Sequence, residues 1–162
     1  MPNHDGAVGV LWTRKSDPAA AKDGSRILLV FGGKEQGEGQ ASTESYTRQL
    51  TAYDIDNRLW WYVDAAQWEV LCPRAYACAA IIDNRLFVFG GVRLAGRRPV
   101  PEKSFSIAEY TMDHWRWIVT DRGYPNNVPD FGSCGDCIPV QGRKKILLTP
   151  GLIGRSQSVR VY

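Results

Sequence analysis

The residues of this chain best suited to metal or redox chemistry are its cysteines, Cys72, Cys78, Cys134 and Cys137, and its histidines, His4 and His114. Cys134 and Cys137 stand in "CGDC", the spacing of half a zinc site, and Cys72 with Cys78 could supply the other half. The gap between that second pair is wider than zinc pairs usually show. Cys78 and Cys134 also fall at matching points of a repeat set out below. They therefore read as small core residues, with zinc and a redox or disulfide role as the alternatives. Two histidines, one near the N-terminus and one in an expected hairpin turn, make a poor copper centre, since imidazole is the natural ligand. No serine lies in a G-x-S-x-G elbow. The Gly-rich "GKEQGEG" (Gly33 to Gly39) lacks the G-K-[ST] ending of a phosphate loop. No catalytic residue, cofactor or metal is expected.

Charge offers more. "KEQGEGQASTES" (Lys34 to Ser45) carries Glu35, Glu38 and Glu44 against Lys34. "VRLAGRRPVPEKS" (Val92 to Ser104) carries Arg93, Arg97, Arg98 and Lys103 against Glu102. Both read as long loops, one acidic and one basic. Loops on a rigid scaffold are where binding is commonly placed, and Arg is favoured as an interface anchor. Glu35, Glu38, Arg93, Arg97, Arg98 and Lys103 are the candidate partner-binding residues. The plainer alternative is a pair of solvated, mobile loops.

These loops need a scaffold, and the scaffold is legible as a repeat. "SRILLVFGG" (Ser25 to Gly33) is an apolar run of strand length closed by two glycines, and "NRLFVFGG" (Asn84 to Gly91) repeats it. "RKKILLTPG" (Arg143 to Gly151) is a weaker third copy, with Pro150 in place of the first glycine. The step from Gly33 to Gly91 nearly equals the step from Gly91 to Gly151. Tyr53 and Trp60 are seven apart, and so are Tyr110 and Trp117. Pro73-Arg74 opens "PRAYACAAII", whose shifted partner is "PDFGSCGDCI" (Pro129 to Ile138). Each unit reads as four strands: the first after Pro-Arg, the second ending in Gly-Gly, the third ending in Tyr, the fourth carrying Trp. The word "DNRL" also occurs twice, at Asp56 and at Asp83, but its copies are separated by only about half of the repeat step. It marks a hairpin turn in each case, because Asp and Asn tolerate left-handed backbone.

The totals agree with one β-rich domain of 162 residues, in which aromatic and glycine content favours strands over helices. A net charge of +3 is too small for a nucleic-acid surface. No apolar run is long enough for a membrane helix. The start, "MPNHDGAVGVLW", shows no signal-peptide pattern, so the expectation is cytoplasm or nucleus with reduced thiols.

Strand-ending Gly-Gly, then Tyr, then Trp seven later, then Pro-Arg, resembles the kelch repeat. The markers are Gly32-Gly33, Tyr53, Trp60 and Pro73-Arg74 in one pass, Gly90-Gly91, Tyr110 and Trp117 in the next, and Gly151 with Tyr162 in a degraded third. The resemblance covers nearly the whole chain, as units 4–72, 73–128 and 129–162, the last incomplete. It implies an all-β fold of β-propeller blades, each a four-stranded antiparallel sheet, in an incomplete ring. The Tyr and Trp markers would then pack between adjacent blades. About two and a half units fall short of the roughly four to eight blades of a propeller. Self-association to complete the ring is one implication, and a longer propeller is another. The resemblance also implies a non-enzymatic interaction scaffold with a protein partner. Galactose oxidase is an enzymatic relative of such propellers, but its copper site uses histidines that are scarce here. A ligand-binding or enzymatic propeller, oxidase- or epimerase-like, is the alternative. Its pocket would lie in the axial channel.

Overall fold

In a computed structural model, the chain is described over residues 4–14, 24–35, 45–66, 70–111, 114–123, 134–140, 145–150 and 157–160. Glu38, Gly151 and Tyr162 lie outside the described residues.

The first unit contributes β1 (His4–Asp5), β2 (Val8–Thr13), β3 (Arg26–Phe31), β4 (Lys34–Glu35), β5 (Ser45–Tyr46), β6 (Leu50–Asp54) and β7 (Leu59–Tyr62). The second contributes β8 (Cys78–Ile82), β9 (Arg85–Phe89), β10 (Val92–Ala95), β11 (Arg98–Pro101), β12 (Ser104–Thr111) and β13 (His114–Gly123). The third contributes β14 (Cys134–Pro139), β15 (Lys145–Pro150) and β16 (Gln157–Arg160). All pair as antiparallel sheets, and none closes on itself among the described residues. The first sheet runs β2-β3-β6-β7, the second β8-β9-β12-β13, and the third β14-β15-β16. Two small ribbons, β1-β4-β5 and β10-β11, are appended. No helix among the described residues is long and apolar enough to cross a membrane.

Alternation explains the layering, because successive strand residues point to opposite faces. In the first sheet Trp12, Ile27, Leu29 and Phe31 face the second sheet. There they form one core with Leu86, Val88, Ala108, Trp115 and Trp117. The opposite face of the second sheet presents Cys78, Ala80, Phe87 and Phe89 to Ile146 and Leu148 of the third. The second sheet is thus buried on both faces, which is why "LFVF" (Leu86 to Phe89) is apolar without interruption. Each buried large side chain contributes about 1.5–3 kcal/mol. Trp117 gives some of that back, since its indole N–H has no hydrogen-bond partner among the described residues.

The glycine markers and the Pro-Arg marker meet at one place. Gly32, Gly33, Gly90 and Gly91 all have positive φ. The Gly33 N–H donates to the Arg74 carbonyl at 2.9 Å, and a Cβ on Gly32 would stand 2.3 Å from that same oxygen. On the other side, Ala75 and Val92 exchange hydrogen bonds at 2.9 and 2.8 Å, and a Cβ on Gly91 would lie 2.5 Å from the Ala75 carbonyl. Each glycine pair therefore approaches the segment around Arg74 and Ala75 closely, and a side chain at Gly32 or Gly91 would collide with its backbone.

The fully buried Arg74 guanidinium locks this joint. It donates to the carbonyls of Cys72, Gly90 and Ser104, to the Ser104 hydroxyl and to the Asp121 carboxylate. Asp121 also accepts from the Cys72 N–H and the Ser106 hydroxyl.

Three expectations need correction. The residues from Val92 to Ser104 are not a loop: most of them form the β10–β11 hairpin, because Val92, Leu94 and Val100 supply strand-forming positions around a Gly96-Arg97 turn. Tyr53 and Tyr110 share a spacing but not a place. Tyr53 lies opposite Trp60, whereas Tyr110 lies opposite Trp115, and Trp117 lies opposite Ala108. The β6–β7 turn spans Ile55 to Arg58 while β12–β13 turns between Thr111 and His114, so the Tyr shifts by two positions against the Trp. Trp60 does not occupy the place of Trp117 either: it packs on Tyr53 of its own sheet, with ring centres 4.7 Å apart. Trp60 is 37% exposed and Trp117 is 0%.

The two "DNRL" turns also differ. Asp83 and Asn84 both adopt left-handed φ, joining β8 to β9 through a two-residue turn. In the other copy only Arg58 does, and Asp54 caps the turn by accepting from the Asp56 and Asn57 backbone N–H groups.

Candidate functional site

The basic segment forms a paired ribbon. Arg93 pairs with Val100, Leu94 with Pro99 and Ala95 with Arg98, and Gly96 at φ +66° makes the turn. The base is anchored twice, by the Ala75–Val92 bridge and by the Glu102 N–H donating to the Gly91 carbonyl at 2.8 Å. Arg93 belongs to this bracing: its Nε donates to the Glu102 carboxylate at 3.0 Å. Arg97 and Arg98 are exposed at the tip, and Lys103 is exposed beside the base. Pro99 and Pro101 remove two N–H donors from β11, which blunts that edge against stray strand pairing.

Glu35 lies exposed on β4, opposite His4 of β1 and Ser45 of β5. Neighbouring Lys34 holds its ammonium 5.5 Å from the centre of the Tyr76 ring and 6.0 Å from that of Tyr46. β5 touches β10, so the acidic and basic ribbons stand side by side.

A second feature lies between the first and second sheets. A cleft of about 300 Å³ is walled by Trp12, Trp61, Tyr110 and Trp115. Arg14, Asp64 and His114 add polar groups to its lining. The rings pack edge-on, with Trp12 4.6 Å from Tyr110 and 5.1 Å from Trp115. The Trp12 indole N–H donates to Asn84 Oδ1 at 3.2 Å, and the Arg14 guanidinium sits 5.6 Å from the centre of the Tyr110 ring. Repeat spacing does not point to this cluster. Its sequence signal is "HWRW", where Trp115 and Trp117 alternate onto one face, together with Trp12 in the alternating "VGVLWT".

The cysteines depart from expectation. Cys78 is buried, as a core residue should be, yet it is disulfide-bonded, so it is neither a reduced thiol nor a thiolate ready for zinc. Disulfides persist in oxidising surroundings and are rare where thiols are kept reduced. Cys72 is a free thiol, half-buried, and burial pushes its pKa up with the Glu102 carboxylate adding to the effect. Cys134 and Cys137 lie on β14, opposite Pro150 and Leu148. Among the described residues, no group of three or more His, Cys, Asp or Glu side chains is placed to hold a metal ion.

No protein-family model matches the chain, and no curated protein matches it. Among 61 solved chains that match in fold is the structure of YjhT, at a TM-score of 0.52 and 13% identity. The match covers 91% of this chain and 58% of that one, so this chain spans little more than half its length. The likeness is one of fold: an all-β array of antiparallel sheets.

Proposed function

We propose that this chain is a kelch-type repeat array, its four-stranded sheets being propeller blades, that serves as a non-enzymatic protein-interaction module. The hairpin β10–β11 carries this reading. A ribbon anchored at its base by two backbone links and the Arg93–Glu102 pair holds Arg97 and Arg98 at a fixed, exposed tip. A hairpin backbone braced in this way need not be ordered on binding, and guanidinium groups at its tip suit an acidic protein surface. The test is affinity capture with cross-linking, using the chain, an Arg97→Glu/Arg98→Glu variant and an Arg58→Glu control. Capture should survive in the control and disappear with the charge-reversed tip. Equal capture by all three would remove the hairpin from the binding surface.

A ligand-binding or enzymatic propeller is the second reading, and the aromatic cleft favours it. Trp12, Trp61 and Trp115 offer flat apolar walls, with Arg14, Asp64 and His114 available to orient a small molecule. Such a ligand would change tryptophan fluorescence in the chain and fail to do so after Trp61→Ala.

A further inference from the structure

Among the described residues, the outer faces of the first and third sheets resemble the two halves of the contact made between successive sheets. In the second sheet, Ile81, Leu86, Ala108 and Trp117 lie opposite one another in one cross-strand row, which the first sheet covers. The matching row of the first sheet is Leu11, Leu28, Tyr53 and Trp60. Leu28 precedes Leu86 by one repeat step, and Trp60 precedes Trp117 by nearly the same step. Leu86 and Trp117 are buried, whereas Leu11 is 55% and Trp60 37% exposed. Leu28 and Trp60 repeat Leu86 and Trp117, while Tyr53 stands where Ala108 does and packs on Trp60, its ring centre 4.7 Å away.

The other half of the contact also recurs. Val10 and Leu29 lie opposite each other in the first sheet and pack toward the second. Ala80 and Phe87 do the same in the second sheet and pack toward the third. Ile138 and Leu147 hold the corresponding place in the third, on the side away from Ile146 and Leu148, and Ile138 is 49% exposed. One end of the stack thus offers the accepting row and the other the inserting pair. Among these three sheets the second stands between them.

We propose that a second copy of this chain seats Ile138 and Leu147 of its third sheet on the Leu11, Leu28, Tyr53 and Trp60 row of the first, and receives the reciprocal contact. A head-to-tail contact that rotates back on itself closes after a fixed number of copies, and reciprocal seating closes it at two. Contiguous apolar residues on an exposed face mark interaction sites when the patch is large. The inference rests on the sheet repeat and not on the partner assigned to the hairpin.

Light scattering across a dilution series tests it, on the chain, on Trp60→Glu and on Leu147→Glu, with circular dichroism to verify folding. The chain should be a dimer. Each variant alone should be monomeric, with association weakened on the order of 100-fold by the charge forced into an apolar contact. An equimolar mixture of the two variants should regain a dimer, because each still carries the half that the other lacks. Leu11→Arg and Ile138→Arg, at the exposed positions of the same two faces, replace any variant that fails to fold. A monomeric chain at every concentration overturns the proposal. So does a Leu147→Glu variant that stays dimeric while Trp60→Glu does not, since that pattern means like faces pairing. A mixture that stays monomeric overturns it as well. The Arg97→Glu/Arg98→Glu variant should remain dimeric, which separates this contact from the hairpin surface.

Discussion

Replacing Arg74 with Ala should be among the most damaging single changes in the chain. The side chain is 0% exposed and donates five hydrogen bonds, three of them to backbone carbonyls. Removing one partner of a buried ion pair costs about 3–5 kcal/mol, because the remaining charge is stranded. Asp121 is 26% exposed and keeps the Cys72 N–H and the Ser106 hydroxyl, so the carboxylate is only partly stranded and the lower part of that range applies. The aliphatic stem adds to the loss through packing. The sum is about 3–4 kcal/mol, which for a chain of this size lowers Tm by on the order of 10 °C. Arg74→Lys should lie between, since it keeps the charge but loses the fork that reaches several acceptors at once. Urea unfolding followed by tryptophan fluorescence measures the loss, and an unchanged m-value would show that the unfolding reaction is the same one. A loss below about 1 kcal/mol for Arg74→Ala, or a Lys variant equal to the parent, would refute the claim that this network locks the joint.

Gly32→Ala and Gly96→Ala separate collision from backbone preference. Both glycines have left-handed φ, +70° and +66°, but a Cβ at Gly32 meets the Arg74 carbonyl at 2.3 Å while one at Gly96 meets nothing within 4 Å. Gly96→Ala should lose only about 1–2 kcal/mol for the left-handed backbone, and Gly32→Ala clearly more, by thermal unfolding. Acid should loosen the β6–β7 turn. The Asn57 side-chain amide and backbone N–H groups hold Asp54 below the usual carboxylate pKa, and Arg26 does the same for Asp56. A folded pKa below the unfolded one adds stability above the unfolded value, and that stability fades as pH falls through the folded value. Urea midpoints measured from pH about 5 down to about 3 should therefore fall less steeply in an Asp54→Asn/Asp56→Asn variant than in the parent.

Much of the scaffold is legible in the sequence because its markers obey local rules. Gly32-Gly33 and Gly90-Gly91 announce left-handed backbone, with room for no side chain at Gly32 or Gly91, and Asp83-Asn84 announces a left-handed turn. Those signals depend on a residue and its immediate neighbours. Tyr110 misleads because sequence spacing does not record turn length, and two extra residues in the β6–β7 turn move one Tyr relative to its Trp. The bond at Cys78 is not legible, since the sequence does not record which sulfur the fold brings within reach. The Val92 to Ser104 ribbon looks like a loop because its charges mask the alternation of Val92, Leu94 and Val100. The aromatic cleft is hidden because it belongs to no single unit: Trp12 and Trp61 come from one sheet, Tyr110 and Trp115 from the next.

The second sheet gives one face to each of two cores, and this sets how the molecule can come apart. Losing the third sheet would uncover Phe87 and Phe89 yet leave the contact of Phe31 with Trp117 untouched. Losing the second would dissolve both cores together. Cooperativity is therefore unequal along the chain, as expected where each unit leans only on its neighbours. Strand β9 is flanked on both edges and covered on both faces, so it should be the last part of the structure to open to solvent, with the outer sheets opening first.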